Sequence, residues 1–245
     1  MFKKYQGKLL CFSPPVMLTT FIIEFSLAIY TFWRYKINTI TKLSIIMLIS
    51  LGTFQLAEYM ICGGIGLSNT QWAKIGYGAI TLLPALGIHM LIAISGKKIP
   101  TLIAIAYTSC ASFFLFYIFV TNSVNINQCY PNYAVFSAFK SISVPFGIYY
   151  YGWLIIGVAL AWLWSNELPK RKKALQSMVI GYLVFLLPTT TINVIDPNTI
   201  KGIPSIMCGF AVLYAVILVV KVLPNSRIEF REKANNFIES IYVKG

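Results

Sequence analysis

The stretch Leu102–Val120, LIAIAYTSCASFFLFYIFV, decides the fold. It contains no charged side chain, and as a helix it would be ~28 Å long, close to the ~30 Å of hydrocarbon in a bilayer. Apolar and polar residues do not alternate along it, so it is not the strand of a closed barrel. In lipid, backbone N–H and C=O groups find no water, and a helix satisfies them within the segment. Working outward from this span, taken as 99–120, six further stretches read the same way: 14–33, 43–63, 73–95, 142–164, 174–195 and 203–223. The expected fold is all-α: a polytopic membrane bundle of seven transmembrane helices forming a single domain over 1–223. A short cytoplasmic amphipathic tail is expected over 224–245.

Composition agrees with lipid as the solvent. Of 245 residues, 58% are hydrophobic and 11% charged, against about 25% charged in soluble domains. With every loop short, no attached kinase, nuclease or nucleotide-binding domain is expected. The net charge of +13 invites a nucleic-acid reading, but its placement argues for a membrane one. Alternate loops carry fourteen Lys and Arg (Arg34, Lys36, Lys42, Lys97, Lys98, Lys170, Arg171, Lys172, Lys173, Lys221, Arg227, Arg231, Lys233, Lys244) against six (Lys3, Lys4, Lys8, Lys74, Lys140, Lys201). Positive charge favours the cytoplasmic side, so the N-terminus is expected outside and the C-terminus inside a cell membrane. The expected partners are the lipid bilayer, a small ligand and a separate signalling protein, with no nucleic acid.

Met1 to Leu10 lacks the apolar core and small-x-small site of a cleaved signal peptide, so the first span is expected to be retained. Pro14-Pro15 suits the start of helix one, and Trp33-Arg34-Tyr35 anchors its far end. Trp72 is expected to begin helix three, with Pro84 kinking it. The longest loop, Thr121 to about Ser141, is the expected outer lid. Phe230, Ala234, Phe237, Ile238 and Ile241 recur at helical spacing in the tail, as in a helix lying on the inner membrane surface.

Polar residues within the spans carry the functional reading, because lipid tolerates few of them. Glu24 lies ~15 Å into helix one, near the midplane. It is either a hydrogen-bonded neutral acid or a buried proton or switch site. Gln55, Glu58 and Cys62 share a face of helix two, with Glu58 ~6 Å from the outer end. Asn193 and Asp196 sit at similar depth on helix six, where Asp196-Pro197-Asn198 also reads as a capping turn. Helix seven adds Pro204-Ser205 and Cys208-Gly209. With helices two, six and seven adjacent, Gln55, Glu58, Asn193 and Asp196 would line an outward-facing ligand pocket. The lone histidine, His89, is a packing group or the partner of Glu24 in a proton pair. Cys11, Cys62 and Cys129 fall on the outer side, where one disulfide among them is possible, whereas Cys110 and Cys208 read as packing thiols. No metal or cofactor is expected.

Cys11-Phe12-Ser13 before the first span and Phe54-Gln55-Leu56-Ala57-Glu58-Tyr59 in the second resemble a family of multi-span membrane proteins with an N-terminal Cys-Phe-Ser and a Gln-x-x-Glu on helix two. That resemblance implies a membrane fold and carries no activity. Leu83-Pro84-Ala85-Leu86-Gly87-Ile88-His89-Met90 is similar to a helix of the seven-helix sensor region of bacterial histidine kinases, which implies ligand sensing and a signalling partner. Other seven-helix classes fail on residues. The cytoplasmic Lys221 is no Schiff-base lysine for retinal, one histidine makes no zinc hydrolase, and a Gly-x-Ser-x-Gly nucleophile elbow is missing. The expectation is a receptor- or sensor-like protein rather than an enzyme. A small proton- or ion-coupled transporter using Glu24 and Glu58 is the alternative.

Overall fold

A computed structural model describes residues 14–63, 66–120, 124–129, 134–138 and 140–226. Cys11-Phe12-Ser13 and the tail from residue 227 onward lie outside the described residues. Within them are seven helices: α1 (Pro14–Arg34), α2 (Thr39–Gly63), α3 (Asn69–Ser95), α4 (Pro100–Phe119), α5 (Lys140–Glu167), α6 (Lys172–Ile195) and α7 (Ile203–Ile217). A π-helical turn, Leu218–Val222, continues α7, and the helix runs on through Ser226. All seven are long and apolar enough to cross a membrane, as expected of a multi-pass membrane protein.

Neighbouring helices run back and forth across the bundle. At the end where α1 begins, the Lys74 ammonium of α3 donates to the Ile118 carbonyl of α4 at 3.1 Å. At the opposite end, the Tyr35 hydroxyl just past α1 donates to the Val219 carbonyl at 3.3 Å. There too Lys97 pairs with Glu167 at 2.6 Å and lies 5.4 Å from the Trp164 ring centroid. The basic connections therefore share one end of the bundle, the one holding Arg34, Lys97 and Lys170.

The central helix is α3, which touches α2, α4, α5 and α6. Of its apolar window, 78% is buried, against 17% for α4. Small residues bring the helices close: a Cβ on Gly76 would meet Ala57 and Phe54 of α2 at 3.3 Å, and one on Gly78 would meet Ile118 and Phe114 of α4 at 3.3 Å. Outward, side chains such as Trp33, Phe119, Ile148 and Val194 are exposed in the absence of lipid. Helix α1 packs on α2 and α7, and this places Glu24.

Several boundaries differ from the sequence reading. Helix α3 begins at Asn69 rather than Trp72, because Ser68 and Gln71 form a reciprocal capping box that satisfies two free N–H groups of the first turn. Helix α5 runs from Lys140 to Glu167, beyond both ends of the expected span, and α6 begins at Lys172. The loop expected as a lid contains an antiparallel hairpin, β1 (Val124–Cys129) and β2 (Ala134–Ala138). Strand β1 lies against α3, and β2 against α7 and the 3-10 turn Pro197–Gly202.

Inside the bundle, α3 carries Pro84 beside a carbonyl that binds two neighbouring helices. Pro84 lacks the N–H that would continue the helical ladder. One turn earlier, the Thr81 carbonyl accepts the Tyr149 hydroxyl of α5 at 2.7 Å and the Cys110 thiol of α4 at 3.4 Å. Three helices are thereby tied at one buried carbonyl.

Candidate functional site

The site forms where α1, α2 and α7 meet. Glu24 points from α1 toward a notch made by Gly52 of α2: a Cβ there would lie 3.7 Å from the Glu24 Cβ and 3.8 Å from Oε2. Glu24 is 0% exposed, and neither carboxyl oxygen has a hydrogen-bond partner. Two turns further along α2, Glu58 is 1% exposed. It accepts the Ser205 hydroxyl at the start of α7, while its Oε1 has no partner. Gln55 lies between, buried, with its Nε2 unpartnered.

Cys208 joins the two carboxyls. It sits one turn after Ser205 on α7, fully buried, within electrostatic reach of both Glu58 and Glu24. Tyr77 of α3 is within reach of Glu58 and Cys208. Past Cys208 a cavity of about 20 Å³ opens in the bundle core, lined by Met47, Tyr150, Tyr182 and Tyr214 among others, which is room for roughly one water. Two acids, a thiol and an amide thus converge in an apolar surround, and among the described residues no ion pair reaches Glu24. An unpaired ionised carboxyl is prohibitively costly there, so the arrangement calls for a proton or a small cation. Among the described residues no three His, Cys, Asp or Glu side chains gather as a metal-ligand set.

The other expected residues go elsewhere. Asn193 and Asp196 stand at the end of α6, against the turn that follows it. The Asn193 Oδ1 accepts the Thr199 hydroxyl at 2.8 Å. Asp196 is the C-cap of α6, is exposed, and its carbonyl accepts the same hydroxyl at 2.6 Å. The Asn193 amide and the Asp196 backbone thereby hold the turn that ends α6. Helix α1 brings Glu24 to the site, because it packs against both α2 and α7. His89 pairs its Nδ1 with the Tyr107 hydroxyl of α4 at 3.1 Å, so it faces α4, while Glu24 faces α2 and α7.

Cys62, at the end of α2, is disulfide-bonded, and Cys110 and Cys208 are free thiols. The side chains of Cys11 and Cys129 lie outside the described residues. Sequence reasoning missed Thr31 of α1, which is wholly buried with an unpartnered hydroxyl. Its seven-residue spacing from Glu24 was the available signal. Comparison of the chain with protein-family models, with curated proteins and with solved structures finds no match.

Proposed function

We propose that this is a proton-coupled membrane carrier of the cell membrane, with Glu24 as the proton site and Glu58 as the second carboxyl of the pair. The observation that carries this reading is Glu24: wholly enclosed, with both oxygens unpartnered. A structural carboxyl normally finds donors when buried, and an ionisable side chain held without them inside a membrane bundle points to a functional proton site. Burial this tight and so few oxygen donors favour a proton over a hydrated metal ion. The Gln-x-x-Glu of the resembled family falls on Gln55 and Glu58, two of the clustered groups. With the lysine-rich end of the bundle in the cytoplasm, Glu58 lies toward the outside and Glu24 deeper.

The test is infrared spectroscopy of the purified protein in lipid, which reads a protonated carboxyl directly. The expected spectrum contains a carboxylic-acid carbonyl band that Glu24→Gln removes. In sealed vesicles under a membrane potential, the same variant should abolish proton entry reported by an entrapped pH dye. A spectrum lacking that band, together with proton entry no faster than in protein-free vesicles, would sink the carrier reading.

A receptor for a small ligand, signalling through a separate partner, is the second reading. The observation favouring it is the hairpin, which lies against α3 and α7 at the end of the bundle where Glu58 and Ser205 sit. A receptor would bind its ligand without moving protons.

A further inference from the structure

Resting on the carrier reading, we infer that the proton leaves Glu24 along the seam between α1 and α7, with the Thr31 hydroxyl as its relay and the Tyr35–Val219 contact as its inner gate. Thr31 behaves unlike the other described buried helical threonines. Thr20, Thr41, Thr81 and Thr189 each donate to a backbone carbonyl of their own or the preceding segment. That local bond is the usual resting place of a threonine in a helix. The Thr31 hydroxyl makes none, although it is 0% exposed.

Position on α1 gives the unpartnered hydroxyl a direction. Thr31 is seven residues beyond Glu24, two turns on the same face, and ~10 Å nearer the basic end. Between them on that face is Ala28, buried and small, which sets no bulky side chain across the path. Tyr35 follows one turn after Thr31, and its hydroxyl crosses to the Val219 carbonyl. Val219 belongs to the π-helical turn Leu218–Val222. Such turns interrupt the regular ladder and recur at functional sites. The stripe therefore runs from the acid, past a free hydroxyl, to a hydrogen bond that closes the seam against the one irregular turn of α7.

The transfer balances in protons. Glu24 gives its acid proton to a water admitted to the seam, leaving a carboxylate. A hydronium-like chain of waters protonates the Thr31 oxygen, which releases its own hydroxyl proton onward to water beside Tyr35. The hydroxyl is regenerated and no bond other than O–H changes.

The experiment uses the full chain in sealed vesicles, with proton entry driven by a potassium diffusion potential in sodium-free buffer and read by an entrapped pH dye. Thr31→Val, matched in shape, should slow entry at least tenfold while the infrared acid band of Glu24 persists. Thr31→Ser should restore the rate, which also separates relay loss from misfolding. Tyr35→Phe, which opens the gate, should speed entry. Glu24-dependent entry that Thr31→Val and Tyr35→Phe leave unchanged overturns the seam and spares the carrier reading. Wild-type vesicles as tight as protein-free ones overturn both.

Discussion

Replacing Glu24 by methionine is expected to stabilise the protein while removing its proton site. Both Glu24 oxygens are buried without partners, and leaving a buried polar group unsatisfied costs about 1–3 kcal/mol. Methionine is unbranched, similar in reach and able to follow the notch at Gly52, and volume-conserving swaps to it disturb packing little. A net gain of about 1–3 kcal/mol follows. For a chain of this length that corresponds to a rise of roughly 2–12 °C in the unfolding midpoint. Cys110 and Cys208 supply the assay, being buried free thiols that a maleimide fluorophore labels only as the bundle opens. Glu24→Gln serves as control: its amide is as poorly partnered as the acid, so its midpoint should stay near that of the wild type. A fall of several degrees for Glu24→Met would refute the reasoning, since it would mean that the carboxyl holds the helices together.

Four further outcomes follow. Tyr149→Phe deletes the 2.7 Å bond to the Thr81 carbonyl and should cost about 1 kcal/mol, read as a lower midpoint in the same thiol assay. Gly181→Ala would set a Cβ 2.7 Å from Cδ2 of Tyr214, a ring stacked on Tyr182 at 5.8 Å. With no room to yield, the loss should be about 1–3 kcal/mol. Lys97→Ala breaks a half-exposed ion pair with Glu167 and should change the midpoint by less than about 1 kcal/mol in equivalent stability. Cysteines introduced at Lys98 and, separately, at Leu67 should react with an impermeant maleimide from opposite sides of the membrane. Labelling of both from one side would contradict the seven-fold crossing.

The spans were legible because length and charge-free composition suffice to define a membrane helix. Which helices touch was not, because lipid and protein core are equally apolar and leave no stripe to read. Helices α3 and α4 look alike as sequence, yet one is largely buried and the other largely exposed. The same blindness bears on α6, where Asn193 and Asp196 lie at the depth of the site while the Asn193 amide and the Asp196 backbone hold the turn that ends the helix. Other signals were present and passed over. Ser68-x-x-Gln71 is a capping box, and Val124 and Ile126 alternate with Asn125 and Asn127 as the strand found there does.

What separates a structural from a functional reading of the buried polar residues is where unpaired atoms collect. Serines and threonines through the bundle bond to nearby carbonyls, as Ser44 does to Ile40 and Thr189 to Phe185. Such groups cost little and imply nothing. Glu24, Thr31, Gln55 and Glu58 contribute five buried atoms without partners, all on α1 and α2. At about 1–3 kcal/mol for each unsatisfied group, their sum is comparable to the whole stability of an ordinary domain. A bundle whose only task was to hold its shape would have apolar side chains at these positions. Retaining the polar ones is coherent if a proton moves among them, since ionisable and polar groups kept inside a membrane bundle mark proton pathways.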